Sequence, residues 1–386
     1  MASLMARVFH NPAHSGLSAA DISDNVPPLE AAQLHLGFAG DVYLQEDYRS
    51  DKFSIDFDAV RECLWRPFSG CPLIVTNLEA PITRNLVAYE RKAYNHKSPE
   101  TVLDAIDKRC FLSIANNHIM DYGQQGLTDT VDALTRRDIP FAGAGLNIDE
   151  AKRPCIVSVG SMKVGIVCAA DPRFHAATTS TPGTCPALGD ILEDSVVSLR
   201  NTVDVIIVAL HMGLEHVSIP SRQQLILAEV CLASGAHIVQ YHHAHRICGV
   251  VSNGHGVALL GTGNYAFMKK AGLLRPWAHR TAAWRVILDT RSGRVVNTVC
   301  VPARLDEHGI PTPLSMVEAK AEACRVRASS SQSIGEATRV LARARDCLHP
   351  GFLLINFYNY FSLLKKRGFR YVARQLIGGI RAQFGA

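Results

Sequence analysis

Apolar and polar positions along this chain fall into short blocks whose period switches between two and three to four. Residues 33–44 (QLHLGFAGDVYL) alternate and then meet Gly40-Asp41, which predicts a first β-strand turning there into a functional loop. Residues 71–83 (CPLIVTNLEAPIT) read as a buried strand between Pro72 and Pro81, and residues 110–118 (CFLSIANNH) as a strand running into a polar end. Between them, residues 98–109 (SPETVLDAIDKR) predict a helix with Ser98 as N-cap and Pro99 at its first position. Residues 125–138 form an amphipathic helical pattern, and residues 139–147 (IPFAGAGLN) follow as strand and turn. Residues 154–171 then read as a hairpin with its turn near Gly160-Ser161. An apolar strand over 203–213 ends at His211, a helix over 221–235 is closed by Gly235, and a strand over 236–251 ends in a histidine cluster. Residues 256–267 and 281–290 are further strands.

Strands and helices alternate to about residue 305, which predicts an α/β layered domain. The expected organisation is an N-terminal arm (1–32), a domain over 33–305 and a helical extension over 306–386. The extension reads as two helices around a Ser-rich break at 329–333, followed by a basic aromatic tail. The tail's apolar residues, among them Phe357, Phe361, Leu364, Phe369 and Leu376, recur at helical spacing. They point to docking on the domain or on a second subunit, hence a homodimer, with membrane or leader-peptide binding as the competing use.

The 386 residues are 47% hydrophobic, enough for one large core or two smaller ones. Eleven cysteines lie scattered without CxxC pairs, which fits buried free thiols in a reducing compartment. No run reaches the ~18 apolar residues of a membrane span, and no signal-peptide pattern opens the chain. A cytoplasmic location is therefore expected. The net charge is +5, but the last 38 residues carry six basic side chains and no acid, leaving −1 for the rest. A nucleic-acid partner is thus not expected.

The candidate chemistry sits where apolar strands stop, the place where α/β sheets build sites. Five such ends stand out: Gly40-Asp41; Asn77-Leu78-Glu79; Asn116-Asn117-His118 with Asp121; His211 with Glu215; and His242-His243-Ala244-His245. If the chain remains extended there, His243 and His245 place their imidazoles on one side. Imidazole is a favoured ligand of transition metals, Asp41 and Glu79 supply hard oxygens, and Asn117 can add a carbonyl oxygen. Such a mixed set describes a catalytic metal site with open positions. Taken singly the pieces are ordinary: Gly-Asp makes turns, Asn-Asn-His caps helices, and Cys248 reads as core. Three histidines within four residues are harder to dismiss.

In this order the stretches GDVYL, TNLEAPIT, SIANNHIMDYGQQGLTDTVDALTRRDIPFAGAG, VALHMGLEH, IVQYHHAH and LLGTGNYAF resemble the CapA family of poly-γ-glutamate capsule synthesis, over roughly residues 33–270. That family is related to the calcineurin-like metallophosphoesterases. The resemblance implies a four-layer sandwich, two mixed β-sheets flanked by helices, with the helical extension added. It implies metal contacts from Asp41, Glu79, Asn117, His211, His243 and His245, with His118 as the acid/base. The ion would be divalent (Mn, Zn, Fe, Ca or Mg), with no organic cofactor. The phosphoesterase Asp-x-His appears here as Asp41-Val42-Tyr43, one ligand short, and the family's Gly-His-His-Pro-His appears as residues 241–245 with Tyr241 and Ala244.

The resemblance also extends to soluble enzymes of ribosomal-peptide pathways. It implies a peptide substrate and, as the favoured reaction, epimerisation at the Cα of the C-terminal residue of a lasso-peptide precursor. Tyr43, His242 and Glu215 are further acid/base candidates. Hydrolysis of a phosphoester or related ester is the alternative, and a capsule-biosynthesis role a third.

Overall fold

The structure, a computed structural model, describes residues 17–20, 22–23, 26–30, 32–45, 56–90, 92, 94–268 and 276–336. The aromatic tail, and with it the docking or homodimer expectation, lies outside these residues. Among them, no helix is long and apolar enough to cross a membrane.

Two mixed sheets form the centre. The first orders β1 (Ser18–Ala19), β12 (Val250–Ser252), β13 (Val257–Leu259), β11 (Ile238–His242), β10 (Val205–His211), β8 (Met162–Ala170) and β7 (Cys155–Val159). The second orders β17 (Pro311–Pro313), β16 (Val295–Leu305), β15 (Arg280–Asp289), β2 (Gln33–Tyr43), β3 (Leu73–Leu78), β4 (Cys110–Ser113) and β5 (Phe141–Ala142), with β14 (Asn264–Phe267) pairing β2. A two-stranded pair, β6 (Ala144–Gly145) and β9 (Gly183–Thr184), stands apart. In the second sheet β2 to β5 and β14 run parallel, and in the first β8, β10, β11 and β13 do.

Three apolar layers hold the sheets. Between them lie Leu36, Phe38, Val75 and Phe111 from one side and Ile166, Ile207, Ala209 and Leu259 from the other. The outer face of the second sheet packs Ile74, Leu78 and Leu112 on α1 (Phe57–Trp65) and α2 (Gly123–Arg136) through Leu64, Trp65, Leu127 and Leu134. The outer face of the first packs Val167, Val208 and Val239 under α4 (Gly189–Leu199) and α5 (Arg222–Ala233), by Leu192, Val196, Leu227 and Cys231. The short α3 (Ile148–Ala151) contacts β6 and β9. The architecture is thus the expected α/β sandwich, helix–sheet–sheet–helix. Its ten described cysteines are all free.

Local expectations fare unevenly. Residues 98–109 form a 3-10 segment, Glu100–Ala105, with Pro99 and not Ser98 at its cap, because the Ser98 hydroxyl donates to the Leu44 carbonyl at 2.6 Å instead. Residues 256–267 form two strands, β13 and β14, that part into different sheets. The Ser-rich break is absent: α6 (Met316–Glu336) runs unbroken through Ser329 to Ser331. There Ser330 is buried, donates to Val326 O and accepts the Val250 N–H. Helices α1 and α4 and strand β16 had no expectation of their own.

Candidate metal centre

The carboxyl ends of parallel strands in both sheets meet at one buried cluster of polar side chains. Strand β2 does not turn at Gly40-Asp41 but continues to Tyr43. Its register against β3 slips between Phe38 and Asp41, which pair with Val75 and Asn77. Three steps on β2 thus match two on β3, a bulge that reverses the strand's parity. Phe38 faces the sheet interface, Ala39 and Val42 face the helices, and Asp41 consequently faces the first sheet, as Asn77 does.

Asp41 is fully buried. Its Oδ1 accepts from Asn77 Nδ2 at 2.9 Å and lies 2.9 Å from His242 Nδ1, and its Oδ2 lies 3.4 Å from His245 Nδ1. Burial opposes ionisation, but His242 and His245 hold the carboxyl well below its usual range. Strand β10 is in phase: Ile207, Ala209 and then His211 face the interface. His211 Nε2 sits 2.9 Å from Asn117 Oδ1, 3.2 Å from His243 Nδ1 and 3.8 Å from Glu79 Oε1.

The extended geometry expected for His243 and His245 is not found. Strand β11 ends at His242, and His243 and His245 adopt φ of 84° and 52°. Left-handed backbone is costly for these residues, about 1–3 kcal/mol each, and is retained where surroundings dictate it. The two turns bring His243 against His211 and Phe174, and His245 against both carboxylates. His245 Nδ1 donates to Asn264 Oδ1 at 2.8 Å, leaving Nε2 aimed at Glu79 Oε1, 3.6 Å away.

Glu79 is the informative residue. Both its oxygens are buried with no hydrogen-bond partner among the described residues. Three imidazole Nε2 atoms surround Oε1: His245 at 3.6 Å, His211 at 3.8 Å and His118 at 3.9 Å. Burial first, and Asp41 second, raise this carboxyl well above its usual range. Against the cost of burying its own charge, Glu79 and Asp41 push His245 up to about 10. Glu79 thus sits among imidazoles and a second carboxylate with no hydrogen bond of its own among the described residues. Asp41, Glu79 and His245 offer donor atoms within 4.8 Å of one another. A buried carboxylate without donors is expensive unless a cation meets it, and mixed imidazole and carboxylate donors suit a divalent metal. The donor set fits such an ion, with Asn117, His211 and His243 beside it.

His118 borders this set and is bound on its other side to Asp121. Its Nδ1 lies 2.6 Å from Asp121 Oδ2, its backbone N–H donates to Asn116 Oδ1, and its ring stacks on His96 at 3.9 Å. Asp121 Oδ2 and the Lys92 ammonium both meet Nδ1, and Nε2 points toward Glu79, 3.9 Å away. Glu215 also borders the cluster, with Oε1 4.0 Å from His245 Nε2 and 3.2 Å from His216 Nε2. The two remaining candidates are buried differently. Tyr43 stacks on His96 and packs on Phe267, and burial raises its phenol far above the usual value. The His242 side chain is wholly buried behind Asp41.

Sequence reasoning missed Lys92, His96, Phe174, His216 and Asn264. Lys92 and His96 belong to an irregular stretch with no periodic signal. Asn264 opens a strand instead of ending one, so the rule of searching strand ends passes it by.

Residues 35–269 match the family described as Bacterial capsule synthesis protein PGA_cap. The chain is 26% identical over 244 residues to the PGA biosynthesis protein CapA of Bacillus subtilis (strain 168), covering 61% of this chain and 63% of that protein. It is 28% identical over 203 residues to the Capsule biosynthesis protein CapA of Bacillus anthracis, covering 50% and 49%. The matches thus span about half to just under two thirds of these relatives. Among solved structures, one described as a novel phosphatase from Mycoplasma pneumoniae aligns with 11% identity and a TM-score of 0.45, over 70% of this chain and 94% of that one. A 5′-nucleotidase precursor from Thermus thermophilus aligns with 17% identity and a TM-score of 0.43, over 77% and 58%. With the family match covering 235 of 386 residues, the chain belongs to the bacterial capsule synthesis protein PGA_cap family.

Proposed function

We propose that this chain is a metal-dependent acid–base enzyme acting on the carboxylate-bearing end of a peptide, with Cα epimerisation of the C-terminal residue as its reaction. One observation carries the reading. Two acid/base groups reach the carboxylate–imidazole cluster from different sheets: His118 Nε2 lies 3.9 Å from Glu79, and Glu215 lies 4.0 Å from His245. Epimerisation needs a base on one face of the Cα and an acid on the other. Asp41, Glu79, Asn117, His211, His243 and His245 are the residues we assign to the metal. A bound divalent cation supplies the charge that acidifies a Cα–H next to a carboxylate.

The half-exposed Glu215 takes the proton as a carboxylate. His118, held by Asp121, returns one from the opposite side. Tyr43, stacked on His96, and His242, buried behind Asp41, are the weaker acid/base candidates. A pathway of ribosomal (lasso) peptides in the cytoplasm is the setting we favour.

Hydrolysis is the second reading, favoured by the His118–Asp121 pair, which by itself suffices to protonate a leaving group. A γ-linked glutamyl chain is the substrate suggested by the relatives' names. Incubation of the full chain with Mn²⁺ or Zn²⁺, C-terminal peptides and γ-glutamyl oligomers in D₂O separates these readings. Gain of one deuteron at a Cα is expected. A mass gain from added water would establish hydrolysis instead, and neither change on any substrate would leave a non-catalytic role in capsule assembly.

A further inference from the structure

Lys92 lies between Thr83 and Lys97, on the connection from the end of β3 to the turn after β4 and at neither strand end. Its ammonium nevertheless reaches the site's most consequential backbone. Nζ donates to the Asn117 carbonyl at 2.6 Å and to Asp121 Oδ1 at 2.7 Å, and lies 2.9 Å from His118 Nδ1. The same segment is pinned around it: the His96 N–H donates to Asp121 Oδ2 at 2.7 Å, and the Tyr89 N–H to the Asp121 carbonyl at 2.7 Å.

We propose that Lys92 is a positioning residue that holds the candidate metal residue Asn117 and the His118–Asp121 pair in one fixed arrangement. This deepens the function proposed above and rests on its assignment of His118 as the acid/base. The physical reason is the geometry of Asp121. A carboxylate held only through Oδ2, by His118 Nδ1 and the His96 N–H, can pivot about that oxygen. Here Oδ1 is held by Lys92, so Oδ2 remains aimed at His118 Nδ1. Two N–H donors of one ammonium are committed to partners on either side of His118, at positions 117 and 121. The turn that carries the imidazole is thereby clamped at both ends. A side chain only 24% exposed, with two oxygen acceptors in reach, has little freedom to do otherwise. Partners of this outer kind typically contribute about 10–100-fold to activity or metal affinity.

The test compares the full chain with Lys92→Met and Lys92→Arg by proton NMR without added metal. A short imidazole–carboxylate hydrogen bond gives a downfield N–H signal, and its loss in His118→Gln assigns it. We expect the signal in the wild type and in Lys92→Arg, and its broadening or loss in Lys92→Met with circular dichroism unchanged. An identical signal in Lys92→Met, or none in the wild type, overturns the proposal. Should Lys92→Met lose the native fold, Lys92→Gln is read the same way. In the D₂O assay Lys92→Met should lower kcat about 10–100-fold with KM nearly unchanged, and Lys92→Arg should restore most of it. A wild type that neither exchanges nor hydrolyses would refute the proposed reaction, while the NMR signal would still decide the role of Lys92.

Discussion

At the scale of single residues, Glu79 separates charge from shape. Both oxygens are buried without donors, so Glu79→Gln keeps the packing and removes the charge that the cluster presents to a cation. Calorimetric titration should show Mn²⁺ or Zn²⁺ uptake lost in Glu79→Gln, and likewise in His243→Ala and His245→Ala; wild-type affinity in all three would end the metal reading. His118→Ala is different, because its imidazole is committed to Asp121. Turnover should fall about 10²–10⁴-fold with metal content retained, and loss of the metal would show that His118 is itself a ligand. The histidine cluster was conspicuous in the sequence because three imidazoles in four residues are rare. Lys92 was not, because a lysine in an irregular stretch has no local signature; only the fold places its ammonium against residues 117 and 121.

At the scale of elements, β2 shows how a strand can be legible and still mislead. Strict alternation from Leu34, Leu36 and Phe38 would send Asp41 to the helix-covered face. The bulge sends it to the sheet interface, and a bulge leaves no mark in an apolar pattern. Gly40 sits at this point and has no room for a side chain: a Cβ there would lie 2.1 Å from the Gly263 carbonyl oxygen, the acceptor of the Asp41 N–H. Gly40→Ala should therefore destabilise the chain by about 1–3 kcal/mol in urea unfolding and weaken metal uptake. An unchanged midpoint would show that the β2–β14 contact yields freely. Helix α5 was better announced, by a periodic stretch over 221–235 closed by Gly235; the structure adds a complete capping box from Ser221 and Gln224.

At the scale of the whole molecule, the cluster bridges two sheets. Asp41, Glu79 and Asn117 come from one, and His211, His243 and His245 from the other. Binding at such a seam adds to global stability, about 2.7 kcal/mol at one hundred times Kd. Thermal unfolding should rise with Mn²⁺ or Zn²⁺ and fall with EDTA; an unmoved transition would contradict a shared centre. The pH dependence should carry a separate contribution from His237, whose Nδ1 accepts the Ile206 N–H at 3.0 Å. Burial, aided by His255, lowers it from 6.5 to about 4. The folded state thus favours the neutral ring. Its stabilisation is complete above pH 6.5 and is lost as the pH falls toward 4, because the unfolded chain takes up the proton first. His237→Gln should flatten the loss of urea stability over this window; an unchanged slope would remove His237 as a cause.

The chain's own pattern determined the α/β class, most strands and α5, and four of the five polar strand ends, because period and strand termination are local properties. Which strands share a sheet, the parity of β2, the left-handed turns at His243 and His245, and the reach of Lys92 were decided only by tertiary structure. Each depends on contacts between residues far apart in sequence, such as Asp41 with His242, Gly40 with Gly263 and Lys92 with Asp121, and no local spacing encodes them.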